Sequence, residues 1–321
     1  MSKVNQDHRS NRWPQWRGLI GCITIAMLWL GAPSASGAAA VQIRSFVSPE
    51  QATDALVTAA RADRTADLLA ILGPDGRKLI FSGDPVADRD GRKEFVAAHD
   101  KAHKIETPDE GRAVLVIGED EWPLPIPIVR HDGAWRFESK AGEQEILNRR
   151  IGRNELSAIE VCRAYVDAQR EYATKDRNHD GLLEYARKFV SSKGKRDGLY
   201  WPATAAEEAS PLGPLVASAR AEGYGRKESG GKRAPYHGYY YRILTGQGKD
   251  APSGAHDYLI RGHMIGGFAL VAFPARYGSS GVMTFIVNQD GVVYQKNLGP
   301  NAAKIARTMT TYNPDASWKT P

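Results

Sequence analysis

Two cysteines, Cys22 and Cys162, are all that the 321 residues contain. The first lies in a stretch expected to be removed, so the mature chain has no partner for an internal disulfide. Also missing are the short patterns of common enzymes: there is no G-x-S-x-G, H-E-x-x-H, C-x-x-C or G-x-G-x-x-G. Any acid/base chemistry would have to come from dispersed residues. A membrane span needs about twenty apolar residues, and the apolar run at 18–32 falls short of that. Nor is there a surplus of one charge set out in a stripe. Half of the net charge of +6 comes from Lys3, Arg9, Arg12 and Arg17 against Asp7, at the amino terminus. The remaining basic residues are scattered, as on an ordinary solvated surface, and no nucleic-acid partner is expected.

What is present begins with an export signal. A basic, polar run ending at Arg17 leads into GLIGCITIAMLWLGA and then PSASGAAA, the three regions of a secretory signal. Residues 1–40 are therefore expected to be a signal peptide cut between 36 and 40. The protein is then periplasmic or secreted, with no membrane span after cleavage; an uncleaved anchor is the alternative. Cys22 precedes the apolar run instead of following it, which argues against lipidation. Cys162 recurs with Leu156, Ile159, Val166 and Ala173 at helical spacing, which places the thiol on an apolar stripe as a packing residue.

Residues 41–150 are expected to form a cone-like α+β domain, similar to the nuclear-transport-factor-2-like folds. Ser48-Pro49-Glu50-Gln51 supplies an N-cap, a first-turn proline and a capping-box residue. Helices are expected after Ser48, over 65–73 and over 90–103, then strands at 113–118, 125–130 and 134–139. Trp135 and Phe137 should share one strand face, and the alternating Pro123, Pro125 and Pro127 confine their strand to an edge. Residues 151–321 are expected to be a helix packed on an antiparallel sheet. Its helix starts near Asn154, a glycine- and lysine-rich loop covers 223–235, strands follow from Tyr236, and Asn288-Gln289-Asp290-Gly291 turns a hairpin.

Six segments carry a resemblance that covers nearly all of the mature chain. SPEQATDALVTAARADRTADLLAILGPDG, VIGEDEWPLPIPIVRHDGAWRFE, RIGRNELSAIEVCRAYVDAQREYATKDRNHDGLLEYARKFVSS, GKRDGLYWP, PYHGYYYRILTGQG and GVMTFIVNQDGVVYQKNLGP resemble the bacterial exported family catalogued as domain of unknown function 2950. That resemblance implies export and brings no activity, cofactor or catalytic residue with it. The second half is also similar to pilin-like globular domains, through Asn154-Glu155-Leu156-Ser157-Ala158-Ile159 and the closing Phe285-Ile286-Val287 … Gly291-Val292. Its helix lies mid-chain, without the apolar extension that pilin assembly uses.

Two functions from different classes follow. One is a non-catalytic binding or structural module of the envelope, whose partner is an unidentified envelope protein or ligand. The other is a periplasmic hydrolase using dispersed carboxylates such as Asp120 and Glu121, or Glu143 and Glu145, which requires that their environments separate their pKa values. His237, His256 and His263 fall near three strand ends, where they would serve either as metal ligands or as ordinary hydrogen-bonding residues. Tyr236, Tyr239, Tyr240 and Tyr241 would form either an aromatic ligand face or cross-strand packing.

The one liganding pattern is Asp176-Arg177-Asn178-His179-Asp180-Gly181-Leu182-Leu183-Glu184. A D-x-N-x-D-G loop supplies calcium with oxygens from positions 1, 3 and 5 and turns at its glycine. Asp176, Asn178 and Asp180 occupy those positions, the Leu182 carbonyl is available, and Glu184 stands at position 9. Arg187 occupies position 12, where an EF-hand places a bidentate glutamate. Calcium is thus the expected cofactor, with weak binding or an added ligand from elsewhere in the chain. Without metal, the loop would be a solvated turn with Asp180 capping a helix after it.

Overall fold

The computed structural model describes residues 43–177, 179–204, 206–225 and 234–321. The expected export signal, Asn178, and residues 226–233 of the expected loop lie outside them. Ser48 opens α1 (Pro49–Arg61) as expected: its hydroxyl accepts the Gln51 N–H at 3.2 Å and Pro49 takes the first helical position. Gln51 reaches back to the N–H of Val47, at 3.0 Å, one residue beyond the usual capping-box donor. Helix α2 (Thr65–Leu72) stops at Gly73, whose φ of +72° suits glycine. A short helix, α3 (Arg77–Ile80), precedes α4 (Pro85–Lys101). The expected helix at 90–103 begins earlier because Asp84 caps it, accepting the N–H groups of Val86 and Ala87, and because Pro85 is preset for a first turn.

Helix α4 ends before His103, which opens a strand that the hydrophobic pattern did not mark. β1 (His103–Asp109) is polar on both faces, and only Ile105 is even partly buried. It pairs antiparallel with β2 (Arg112–Ile117), which also pairs with β3 (Trp122–Pro123) and β4 (Ile128–His131); β4 pairs with β5 (Ala134–Phe137). The strand expected over 125–130 starts only at Ile128, because Pro125 and Pro127 have no N–H to give a ladder. Trp135 and Phe137 share the buried face. This sheet and helices α1 to α4 enclose one apolar cluster, built around Leu56, Ile71, Leu115, Ile128 and Phe137.

Helix α5 (Ser139–Tyr172) runs for 34 residues and begins well before Asn154, where the amphipathic pattern becomes clear. Its early turns are mostly polar and are helped by pairs such as Arg149 Nε to Glu145 Oε1 at 2.6 Å. Ile146 packs against the first cluster, and Ala158, Ile159, Cys162, Tyr165, Val166 and Tyr172 belong to a second. Cys162 is fully buried, and burial pushes its thiol up to about 12. The thiol is therefore a packing group, as its stripe predicts, although Leu156, expected on the same stripe, is exposed.

After α6 (Gly213–Ala221) the regular structure is mostly strand. β6 (Tyr239–Leu244), β11 (Ala269–Pro274), β12 (Thr284–Asn288) and β13 (Tyr294–Lys296) form an antiparallel sheet in the order β13-β12-β11-β6. Every residue of β11 is buried, which requires cover on both faces; α5 and α7 (Ala302–Thr308) both pack on it. Gly291 closes the β12–β13 hairpin, donating its N–H to the Asn288 carbonyl at 2.9 Å. A smaller sheet joins β7 (Gly246–Gln247), β8 (His256–Asp257) and β14 (Thr311–Tyr312), with β14 parallel to β7. β9 (Leu259–Ile260) and β10 (His263–Met264) form a separate hairpin. Tyr239 is fully buried with its hydroxyl on the Met283 carbonyl at 2.9 Å, and Tyr240 packs on Phe273, so both serve as packing residues. The chain is thus a mixed α+β protein with antiparallel sheets. Among the described residues no helix is long and apolar enough to cross a membrane.

Candidate metal centre

The loop after α5 is shaped by two side chains before any ligand is considered. Arg177 turns back on the helix: its guanidinium donates to the carbonyls of Glu171 and Tyr172 in the last turn of α5, where helix carbonyls lack their usual intrahelical partners. The same group stacks over Tyr172 and Trp201, 5.2 and 5.8 Å from the ring centroids. Asp176 then closes the turn on itself, accepting the N–H groups of His179 (2.7 Å), Gly181 (2.9 Å) and Asp180 (3.3 Å). The Gly181 N–H, above all, holds the Asp176 carboxyl below the ordinary range. His179 and Gly181 have φ of +61° and +87°, the left-handed conformations such a turn demands.

No helix follows Gly181. Residues 181–189 are non-helical, so Asp180 has no helix to cap; its Oδ1 accepts the Leu182 N–H at 2.9 Å instead. The segment is captured by tertiary contacts. Buried Gln169 imitates a neighbouring strand, giving its Nε2 to the Ala186 carbonyl and accepting the Ala186 N–H, both at 2.8 Å. One residue earlier, the Tyr185 N–H donates to the Met264 carbonyl of β10 at 2.8 Å. Glu184 is thereby laid beside the β9–β10 hairpin. That hairpin turns at Arg261-Gly262, with φ of +52° and +91°, the two-residue turn suited to paired strands.

These ties bring together three side chains. Nδ1 of His263 lies 3.1 Å from Oε2 of Glu184 and 3.4 Å from Oδ2 of Asp180. One potential ligand atom from each of Asp180, Glu184 and His263 falls within 4.8 Å of the others. Glu184 is the most enclosed, with 13% of its side chain exposed, against 29% for Asp180 and 34% for His263. Two of the four expected ligands, Asp180 and Glu184, are thus side by side. Asp176 spends its carboxylate on the turn and is not part of this convergence, and Asn178 lies outside the described residues. Arg187 is exposed. No spacing pattern links His263 to this loop, since 79 positions separate it from Glu184.

The other candidates go elsewhere. Nε2 of His237 faces Glu222 at 3.2 Å, and Nε2 of His256 faces the Gly266 carbonyl at 3.2 Å, so the three histidines do not share a site. Asp120 is exposed. Glu121 meets Lys104 at 2.8 Å, Glu143 meets Lys78 at 2.6 Å, and Glu145 meets Arg149 at 2.6 Å. The lysine hydrogen bonds hold the Glu121 and Glu143 carboxyls below the ordinary range. A general acid needs the opposite shift. Two shallow hollows of about 280 and 300 Å³ are lined by mixed charges. One has Arg44, Asp54, Arg64 and Asp67; the other has Arg89, Asp90, Lys93 and Arg220. None of these hydrolase candidates lines either hollow.

The fold and this cluster define a mixed α+β protein in which Asp180, Glu184 and His263 meet where the loop after its long helix lies beside a two-stranded hairpin. The chain belongs to the family described as protein of unknown function DUF2950, whose profile matches residues 43–320. No curated protein and no solved structure matches it.

Proposed function

We propose that this protein is an exported, non-catalytic binding or structural module of the envelope, and that its 176–184 loop holds a divalent cation. The convergence of Asp180, Glu184 and His263 from two distant segments carries the reading. A cation there would fasten the loop after α5 to the β9–β10 hairpin. The D-x-N-x-D-G spelling is that of a loop for calcium, which takes six to eight oxygens, while the convergence itself calls only for a divalent cation. The non-catalytic part draws on the carboxylates weighed for hydrolysis: Glu121, Glu143 and Glu145 are ion-paired in three separate places. In this reading the first half is a cone-like domain and the second a pilin-like helix on a sheet. Helices α1 and α4 beside an antiparallel sheet support the first, and α5 against β11 and β12 the second.

The test is purification of the native protein from a periplasmic extract, followed by terminal sequencing, metal analysis, crosslinking and hydrolase assays. The expected outcome is a start between residues 37 and 41, a bound divalent ion, and a crosslinked envelope partner or co-purified ligand without turnover. A start at Met1 in the membrane fraction would overturn the cleaved, periplasmic form in favour of an uncleaved anchor. Ester, phosphoester or peptide hydrolysis abolished by changes at the cluster would overturn the non-catalytic reading.

A further inference from the structure

We propose that the ion held by this loop is a borderline transition-metal cation of the zinc class, bound by Asp180, Glu184 and His263. The inference rests on the cation reading above and names the ion. Two observations point away from a calcium loop. First, the donor set pairs two carboxylates with an imidazole contributed by β10. Calcium selects oxygen, whereas imidazole with carboxylate suits zinc and its neighbours in the first transition row. Second, Asp176, the position-1 residue of a calcium loop, accepts the N–H groups of residues 179–181 and stands outside the three-residue convergence. Its task is to shape the turn that presents Asp180.

The site also has the restraint that transition-metal affinity needs. Glu184 is followed directly by Tyr185, bonded to β10, and by Ala186, bonded to buried Gln169. His263 sits directly after the left-handed Arg261-Gly262 turn. Donors held by backbone pairing lose little freedom when they close on an ion. Three protein donors leave the remaining positions to water or another oxygen ligand.

The experiment uses the full-length chain, stripped with chelator, and compares zinc and calcium by calorimetric titration and thermal melting, with cobalt absorption as a reporter of imidazole ligation. Wild type is compared with Asp180→Asn, Glu184→Gln and His263→Gln, each first shown to keep the metal-free circular dichroism spectrum. If one variant fails that control, the other two carry the comparison. The expected result is one zinc per chain, a raised Tm, and affinity reduced roughly tenfold or more in each folded variant, a loss at least as large as outer-ligand changes give. Zinc affinity unchanged in the folded variants would overturn the site. Calcium stabilising wild type and His263→Gln equally, with zinc inert, would overturn the ion assignment and leave the cation loop standing. Failure of both ions to bind would overturn both readings.

Discussion

Asp100 illustrates how single charges are set in this chain. Its two carboxylate oxygens meet the two guanidinium nitrogens of Arg61 at 2.6 and 2.7 Å, linking α4 back to α1. The arginine hydrogen bond brings the carboxyl down to about 2. A carboxylate depressed on folding contributes stability that is present above its unfolded pKa, near 4, and is lost as pH falls through the folded value near 2. Both side chains are about half exposed, so solvent screens the pair and its share of the total is small. NMR titration should place Asp100 near 2 in the wild type. In Arg61→Gln it should return toward the ordinary range; an unchanged midpoint in that variant would remove arginine as the cause. His263 meets its two carboxylates at 3.1 and 3.4 Å through the single nitrogen Nδ1, across 79 positions of chain from Glu184.

At the scale of elements, α5 shows two glycines with opposite roles on one helix. A Cβ on Gly142 would come within 2.6 Å of the Pro125 carbonyl oxygen, whereas a Cβ on Gly152 would meet nothing within 4 Å. Alanine is favoured over glycine inside a helix by about 0.5–1 kcal/mol. Forcing a methyl into a filled contact costs about 1–3 kcal/mol. Gly152→Ala should therefore raise stability by up to about 1 kcal/mol, while Gly142→Ala should lower it, net, by as much as about 2 kcal/mol. Equilibrium denaturation of the pair is the measurement, and a gain in both would mean that the helix does not press on Pro125. This contact accounts for much of what the helical pattern missed. Hydrophobic periodicity locates the half of α5 that packs on the second cluster. The first turns are held by a close backbone approach and surface pairs, which leave little trace in the pattern.

Across the whole molecule, Asp84 joins parts of the chain that are far apart in sequence. It is fully buried, caps α4, and its Oδ2 accepts the Tyr224 hydroxyl at 2.9 Å and the Gly238 N–H at 2.8 Å. The segment that opens α4 is thereby tied to the chain that enters β6. Asp84→Ala would strand these donors and remove a cap, at a cost of about 3 kcal/mol or more. Chemical denaturation and hydrogen exchange should show that loss, with residues 224 and 238 exchanging faster along with the start of α4. A change confined to the start of α4 would show that Asp84 is only a cap. The sequence contains no local sign of this link: Asp84 before Pro85 spells at most a helix cap, and the helix expected at 90–103 did not reach it.

The chain's own spelling determined whatever depends on neighbours in sequence. Ser48-Pro49 starts α1, Gly73 stops α2, Asn288 to Gly291 turns a hairpin, and the stripe through Ile159 and Val166 buries Cys162. Each rests on backbone preferences or a period that a short window contains. The 176–181 turn was legible for the same reason, because Asp176 finds its donors within five residues. Only the tertiary structure decided that the segment after Gly181 stays non-helical and that Glu184 comes to His263. The binding of Ala186 by Gln169 and of Tyr185 by Met264 outweighs any local helical tendency there. A cluster assembled by such long-range pairing has no spacing to read, because its distances are set by packing between elements and not by the order of residues along the chain.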